Sequence, residues 1–132
     1  PAVQNGDLLL GHVFSGDAFL AMAENEELSY AIPKPGATRW TDNMAIPVGA
    51  PHVDLAHEFI NYILEPKVGA ELSNYTYYNT PNEAALPMID EELRRLPGYT
   101  PSQEVFGRLQ VIEDVGEATR RYERIFTEVK SA

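Results

Sequence analysis

Residues 30–47 read YAIPKPGATRWTDNMAIP, and their punctuation organises the rest of the chain. Pro33, Pro35 and Gly36 forbid a helix interior and a central strand across residues 33–37, which makes this stretch a connector between two structural units. Directly after it comes Trp40, the only tryptophan, two residues before Asp42. A second connector of the same kind, Pro97-Gly98-Tyr99-Thr100-Pro101, lies further on.

Outward from the first connector, Gly6 to Phe14 is a short apolar run closed by Ser15-Gly16-Asp17, the pattern of a buried strand ending in a turn. Asp17 to Ala23 follows with strong helix formers and an acid in its first turn, and Asn25 with Glu26 and Glu27 ends it. Leu28 to Ile32 reads as a second strand. On the other side, Leu55, Ala56, Phe59, Ile60 and Ile63 have the spacing of an amphipathic helix that starts near Pro51 and is interrupted at Glu65-Pro66. A second helix spans Lys67 to Tyr75, and Tyr77 to Asn82 is a turn rich in aromatics. One short acidic helix is expected over residues 87–96, another starting at Ser102, and a last one from Asp114 to Lys130 with its basic end placed as the helix dipole favours. This order gives an α/β fold with too few visible strands for a complete doubly wound sheet, so the missing strands are expected from oligomerisation or another polypeptide.

The bulk composition narrows the function classes. The chain has 132 residues, with 10 Lys plus Arg against 20 Asp plus Glu, a formal charge of −10. Such a surface repels phosphate backbones and favours cationic partners, so nucleic acid is not expected; ordinary solubility accounts for the same acidity. With no cysteine, there is neither a disulfide framework nor a thiolate metal site. No apolar run reaches the roughly 20 residues of a membrane span, and the first residues lack the basic and apolar regions of a signal peptide. Beginning at Pro1, the chain reads as a processed product or the downstream piece of a longer one.

Catalytic patterns find little support. Ser15 lies near His12 and Asp17, but three groups within six residues do not normally converge on one reacting atom, and there is no GxSxG elbow. His52 and His57 fall on different faces of a helix, and neither a metal motif nor a phosphate-cradling glycine loop is present. No catalytic activity, cofactor or metal is therefore expected. What remains is a set of aromatics beside carboxylates: Phe14 before Asp17, Trp40 before Asp42, and Tyr77 and Tyr78 in a turn before Pro81. Carboxylates accept the N–H donors of an organic ammonium and aromatic faces attract its charge. Equally, the aromatics could be core residues and the aspartates caps or turn residues, and spacing alone favours that second account.

Taken together, FSGDAF, YAIPKPGATRWTDNMAIP, HEFINYILEPKVGAELSNY, YYNTPNEAA and EDVGEATRRYERIFTEVK, in this order, resemble the C-terminal part of bacterial spermidine/putrescine-binding proteins, the solute receptors of polyamine ABC transporters. The likeness covers nearly the whole chain. It implies a type II periplasmic-binding-protein fold, with the ligand held between two lobes. Residues 1–39 would be a segment of the C-terminal lobe, 40–99 a segment of the N-terminal lobe, and 100–132 a return to the C-terminal lobe. The resemblance further implies that Trp40 stacks on the polyamine chain and that Asp42 accepts an amine. It matches Tyr78 to a family tyrosine and Asp17 to an aspartate of putrescine-preferring members. Phe14 stands where the family usually has tryptophan, and Ile112 near a position where some spermidine binders carry glutamine. Also implied are an ABC permease partner and a periplasmic or extracellular location. The opposite wall of the cleft lies outside this chain, so a homo-oligomer or a complementing N-terminal chain is expected. The rival expectation is a truncated or engineered self-association module that binds no ligand.

Overall fold

A computed structural model of the chain describes residues 2–131. Its regular elements are α1 (Ser15–Glu24), β1 (Thr38–Arg39), α2 (Val53–Ile63), α3 (Pro66–Thr76), α4 (Glu91–Arg94), α5 (Gln103–Phe106), β2 (Gln110–Val111) and α6 (Thr119–Ser131). Short 3-10 segments at Glu83–Met88 and Gly116–Ala118 complete the order.

Helical expectations hold with shifted ends. Starting at Ser15, two residues ahead of Asp17, α1 still carries Asp17 in its first turn, where a carboxylate favours the helix dipole. Pro66 ends one helix and opens the next, because a proline ring fits the first turn, where no backbone donor is needed. Ser102 caps α5, its hydroxyl accepting the Val105 amide at 3.3 Å. The helix expected over 87–96 is instead divided. Pro87 sits in the 3-10 segment, Ile89 turns to an extended backbone, and only Glu91–Arg94 is α-helical.

Both expected strands are corrected. Residues 6–14 and 28–32 carry no strand, and the paired strands among the described residues are β1 and β2, two residues each. An apolar run becomes a buried strand only when neighbours accept its backbone bonds and cover its side chains. Here Leu9 is fully exposed and Leu8 and Leu10 largely so. The β1–β2 pair is parallel, Thr38 opposite Gln110 and Arg39 opposite Val111, the arrangement an α/β fold requires.

The first connector owes its shape to Gly36. Its amide donates to the Pro33 carbonyl at 3.0 Å, and its φ of +115° lies where side chains are strained. A Cβ there would stand 2.2 Å from the Arg108 carbonyl oxygen, so only glycine lets residues 33–37 lie against the turn that leads into β2. The Gln110 amide then donates to the Ala37 carbonyl at 3.0 Å and starts the pairing.

The core is small and sits between α1, α3, α4 and the second connector. Phe19, Ala70, Ala85, Ile89, Leu93 and Tyr99 are buried, with Met22, Tyr30, Tyr77, Leu86 and Leu96 packed around them. Phe19 is its hub, meeting Tyr30 edge-on at 5.1 Å between ring centroids and Tyr99 at 5.5 Å. By contrast, Tyr122, Ile125, Phe126 and Val129 share one face of α6, and every one of them is exposed.

Candidate functional site

Three separate element ends converge. Phe14 is the residue that caps α1, Trp40 follows β1 directly, and Tyr78 comes just after α3. Phe14 and Trp40 meet edge-on, ring centroids 4.9 Å apart and planes at 66°, while Trp40 and Tyr78 stand 6.3 Å apart at 68°. All three rings expose area to solvent; Trp40, at 44%, is no core residue. That excludes the account in which the tryptophan simply fills the interior.

Asp17 and Asp42 border the same cluster. The Tyr78 hydroxyl is held above its ordinary pKa, first by burial, then by the negative charge of Asp17 and, less, of Asp42; the Asp17 backbone amide pulls the other way. Two carboxylates therefore act on one phenol. Both are themselves exposed, Asp17 on the first turn of α1 and Asp42 two residues beyond Trp40. The five residues singled out from the sequence thus share one surface, with none placed elsewhere.

Local chain geometry holds this surface. Tyr77 ends α3 in a left-handed conformation, φ 62°, which turns the backbone sharply and sends Tyr78 back toward α1. Tyr99, buried to 2% exposure, donates its hydroxyl to the Tyr78 carbonyl at 3.2 Å, and Asn79 Nδ2 donates to the Tyr99 carbonyl at 2.9 Å. Asn82 fixes the end of the turn, donating from Nδ2 to the Leu64 carbonyl at 2.7 Å and accepting the Ala84 amide at 3.1 Å. Beneath Tyr78 lies Gly16, whose bare Cα faces the ring. Gly16, Asn79 and Tyr99 are supports that reading the sequence alone passes over; glycine in a helix's first turn, an unfavourable choice there, is the one local sign.

The surface is one-sided. Open depressions of about 600 Å³ along residues 110–115 and about 280 Å³ between Tyr30, Gly98 and Val105 are not lined by any of the five residues. No group of three metal-ligating side chains occurs among the described residues. Among the described residues, no helix is long and apolar enough to cross a membrane.

Comparison with known proteins supplies a context. Residues 2–101 match the family described as bacterial extracellular solute-binding protein. A putrescine-binding periplasmic protein of Pseudomonas aeruginosa is 34% identical over 96% of this chain, and the match spans 36% of that protein. A putrescine-binding periplasmic protein of Escherichia coli gives the same three figures, 34%, 96% and 36%. Among solved structures, one from Listeria monocytogenes, provisionally assigned to a spermidine/putrescine ABC transporter, superposes with a TM-score of 0.82 at 38% identity, covering 89% of this chain and 37% of that one. The chain therefore has the fold of part of a periplasmic binding protein, and it spans a little over a third of the length of the relatives it matches.

Proposed function

As this chain belongs to the bacterial extracellular solute-binding protein family, we propose that it forms one wall of a cleft that binds a linear polyamine, putrescine or spermidine, for an ABC permease. Its role is binding, not catalysis, at the periplasmic or extracellular face of the membrane. The observation that carries this reading is the meeting of Phe14, Trp40 and Tyr78 with Asp17 and Asp42 on one exposed surface. Each charged hydrogen bond from an ammonium to a carboxylate contributes about 1.5–3 kcal/mol. Each aromatic face adds about 0.5–2 kcal/mol and sheathes the methylenes between amines. A pair of exposed carboxylates beside three rings suits a cation that is apolar along its length.

The one-sided geometry gives the second half of the proposal. Residues 1–39 and 100–132 belong to one lobe and 40–99 to the other, and a second copy or a chain supplying the N-terminal part closes the cleft. As the only tryptophan, Trp40 reports on the site directly. Titrating putrescine or spermidine into the native assembly should change its emission saturably, and no change with either amine would sink the reading. A different reading, a self-association module without ligand, draws on the exposed apolar face of α6. Asp42→Asn separates the two, since it weakens amine binding under the first and leaves everything unchanged under the second.

A further inference from the structure

We propose that Gly16 is a positioning residue, which by lacking a side chain seats the Tyr78 ring against the first turn of α1 and so fixes the third aromatic of the cluster. Its consequence for ligand rests on the amine-binding reading above; the seat itself does not. A Cβ built on Gly16 would stand 2.3 Å from Tyr78 Cε2, 2.4 Å from Cδ2 and 2.6 Å from Cζ, all inside any tolerable contact. Gly16 is buried between a half-buried Ser15 and an exposed Asp17, with the Tyr78 ring lying over it. Nothing about its own backbone demands glycine, since it lies inside a helix where alanine is the better residue.

Tyr78 has little freedom to yield at its backbone. Tyr99 holds the Tyr78 carbonyl from the core, Asn79 holds Tyr99, and the left-handed Tyr77 fixes the approach. An added methyl would therefore swing the ring outward, away from Asp17 and Asp42 and out of register with Trp40. Gly16→Ala should have opposed effects: a better helix and a worse site.

The experiment compares the chain with Gly16→Ala, Tyr78→Ala and the double variant, in the native assembly, by titration with putrescine and spermidine. Gly16→Ala is expected to weaken binding roughly threefold to thirtyfold, the worth of one aromatic contact, and to add nothing once Tyr78→Ala has removed the ring. In parallel, alkaline ultraviolet titration of the chain and of Gly16→Ala is differenced against the matching Tyr78→Phe form, which isolates one phenol among seven tyrosines. In Gly16→Ala that phenol should return toward its ordinary value of about 10. Unchanged titration overturns the inference, whether or not binding falls, as does full affinity in Gly16→Ala. If the unaltered chain binds neither amine, the proposed function fails while the titration still decides the seat of Tyr78. Should Gly16→Ala fail to fold, recovery of folding in the double variant reports the same clash.

Discussion

Asp17 and Asp42 come from separate segments of the chain, yet both charges raise the pKa of the Tyr78 hydroxyl. They are separate contributors, one from the start of α1 and one from the exit of β1, so neither can replace the other in accepting an ammonium. Asp42→Asn and Asp17→Asn are each expected to weaken putrescine binding roughly tenfold to a hundredfold, the loss of one charged hydrogen bond. Isothermal titration of the assembled protein checks both, and an affinity unchanged in either variant removes that carboxylate from the site. These residues were legible as candidates only through the resemblance to polyamine receptors, since spacing alone favoured core and turn roles; local punctuation placed them at element ends, Ser15-Gly16 for Asp17, the Pro/Gly connector for Trp40 and Asp42, and the end of a helix for Tyr78. Gly16 was not, because what makes it matter is contact with a ring from a distant segment. Sequence spacing carries periodicity within an element, and it says nothing of which loop will lie across it.

At the scale of elements, α1 is tied to the second connector by Phe19 and Tyr99, with Tyr30 on the other side of the Phe19 ring. With a core this small, Phe19→Ala is expected to cost about 3–5 kcal/mol, measured by urea unfolding, because the edge-on contacts leave little to collapse into the cavity. The tyrosines add a pH dependence. Burial raises the phenol pKa of Tyr30 and Tyr99 and leads among the causes for Tyr78. The folded chain therefore keeps phenol protons that the unfolded chain releases, so their contribution is complete below pH about 10 and is lost as pH rises through the folded values. Thermal melts should be level between about pH 8 and 9 and fall above 10, the alkaline limb becoming shallower in Tyr99→Phe. That variant also loses the bond to the Tyr78 carbonyl, at about 0.5–1.5 kcal/mol near neutral pH. Helices were readable from apolar spacing because that periodicity lies within the element: along α2, Ala56, Ile60 and Ile63 recur at helical spacing and are half-buried, although no residue of that helix is fully buried. The strands expected at 6–14 and 28–32 failed on a condition the sequence does not carry, the presence of paired neighbours, which among the described residues reduces to β1 beside β2.

The whole molecule exposes 11093 Å², where a compact monomer of its mass would expose roughly 6,900 Å². The excess is of the size that obligate interfaces bury, which run from about 2,000 to above 5,000 Å². Much of it is apolar and arranged in stripes: Leu8, Leu9 and Leu10 before α1, Leu55, Phe59 and Tyr62 along α2, Val111 and Ile112 at β2, and the face of α6 with Tyr122, Ile125, Phe126 and Val129. Monomeric proteins rarely leave so much apolar surface contiguous with water. Light scattering after size exclusion is thus expected to give a particle heavier than the 14.7 kDa chain. Two copies would together carry twice the formal charge of −10, so self-association should tighten as salt screens the repulsion. A complementing chain of opposite charge would instead bind more weakly in salt. Phe126→Asp places a charge in the centre of the α6 stripe and should lower the particle mass toward one chain while leaving Phe19 and its neighbours packed. A folded monomer at tens of micromolar, unaffected by that substitution, would show that the exposed stripes need no cover, and the cleft would then have to work with the single wall formed by Phe14, Trp40 and Tyr78.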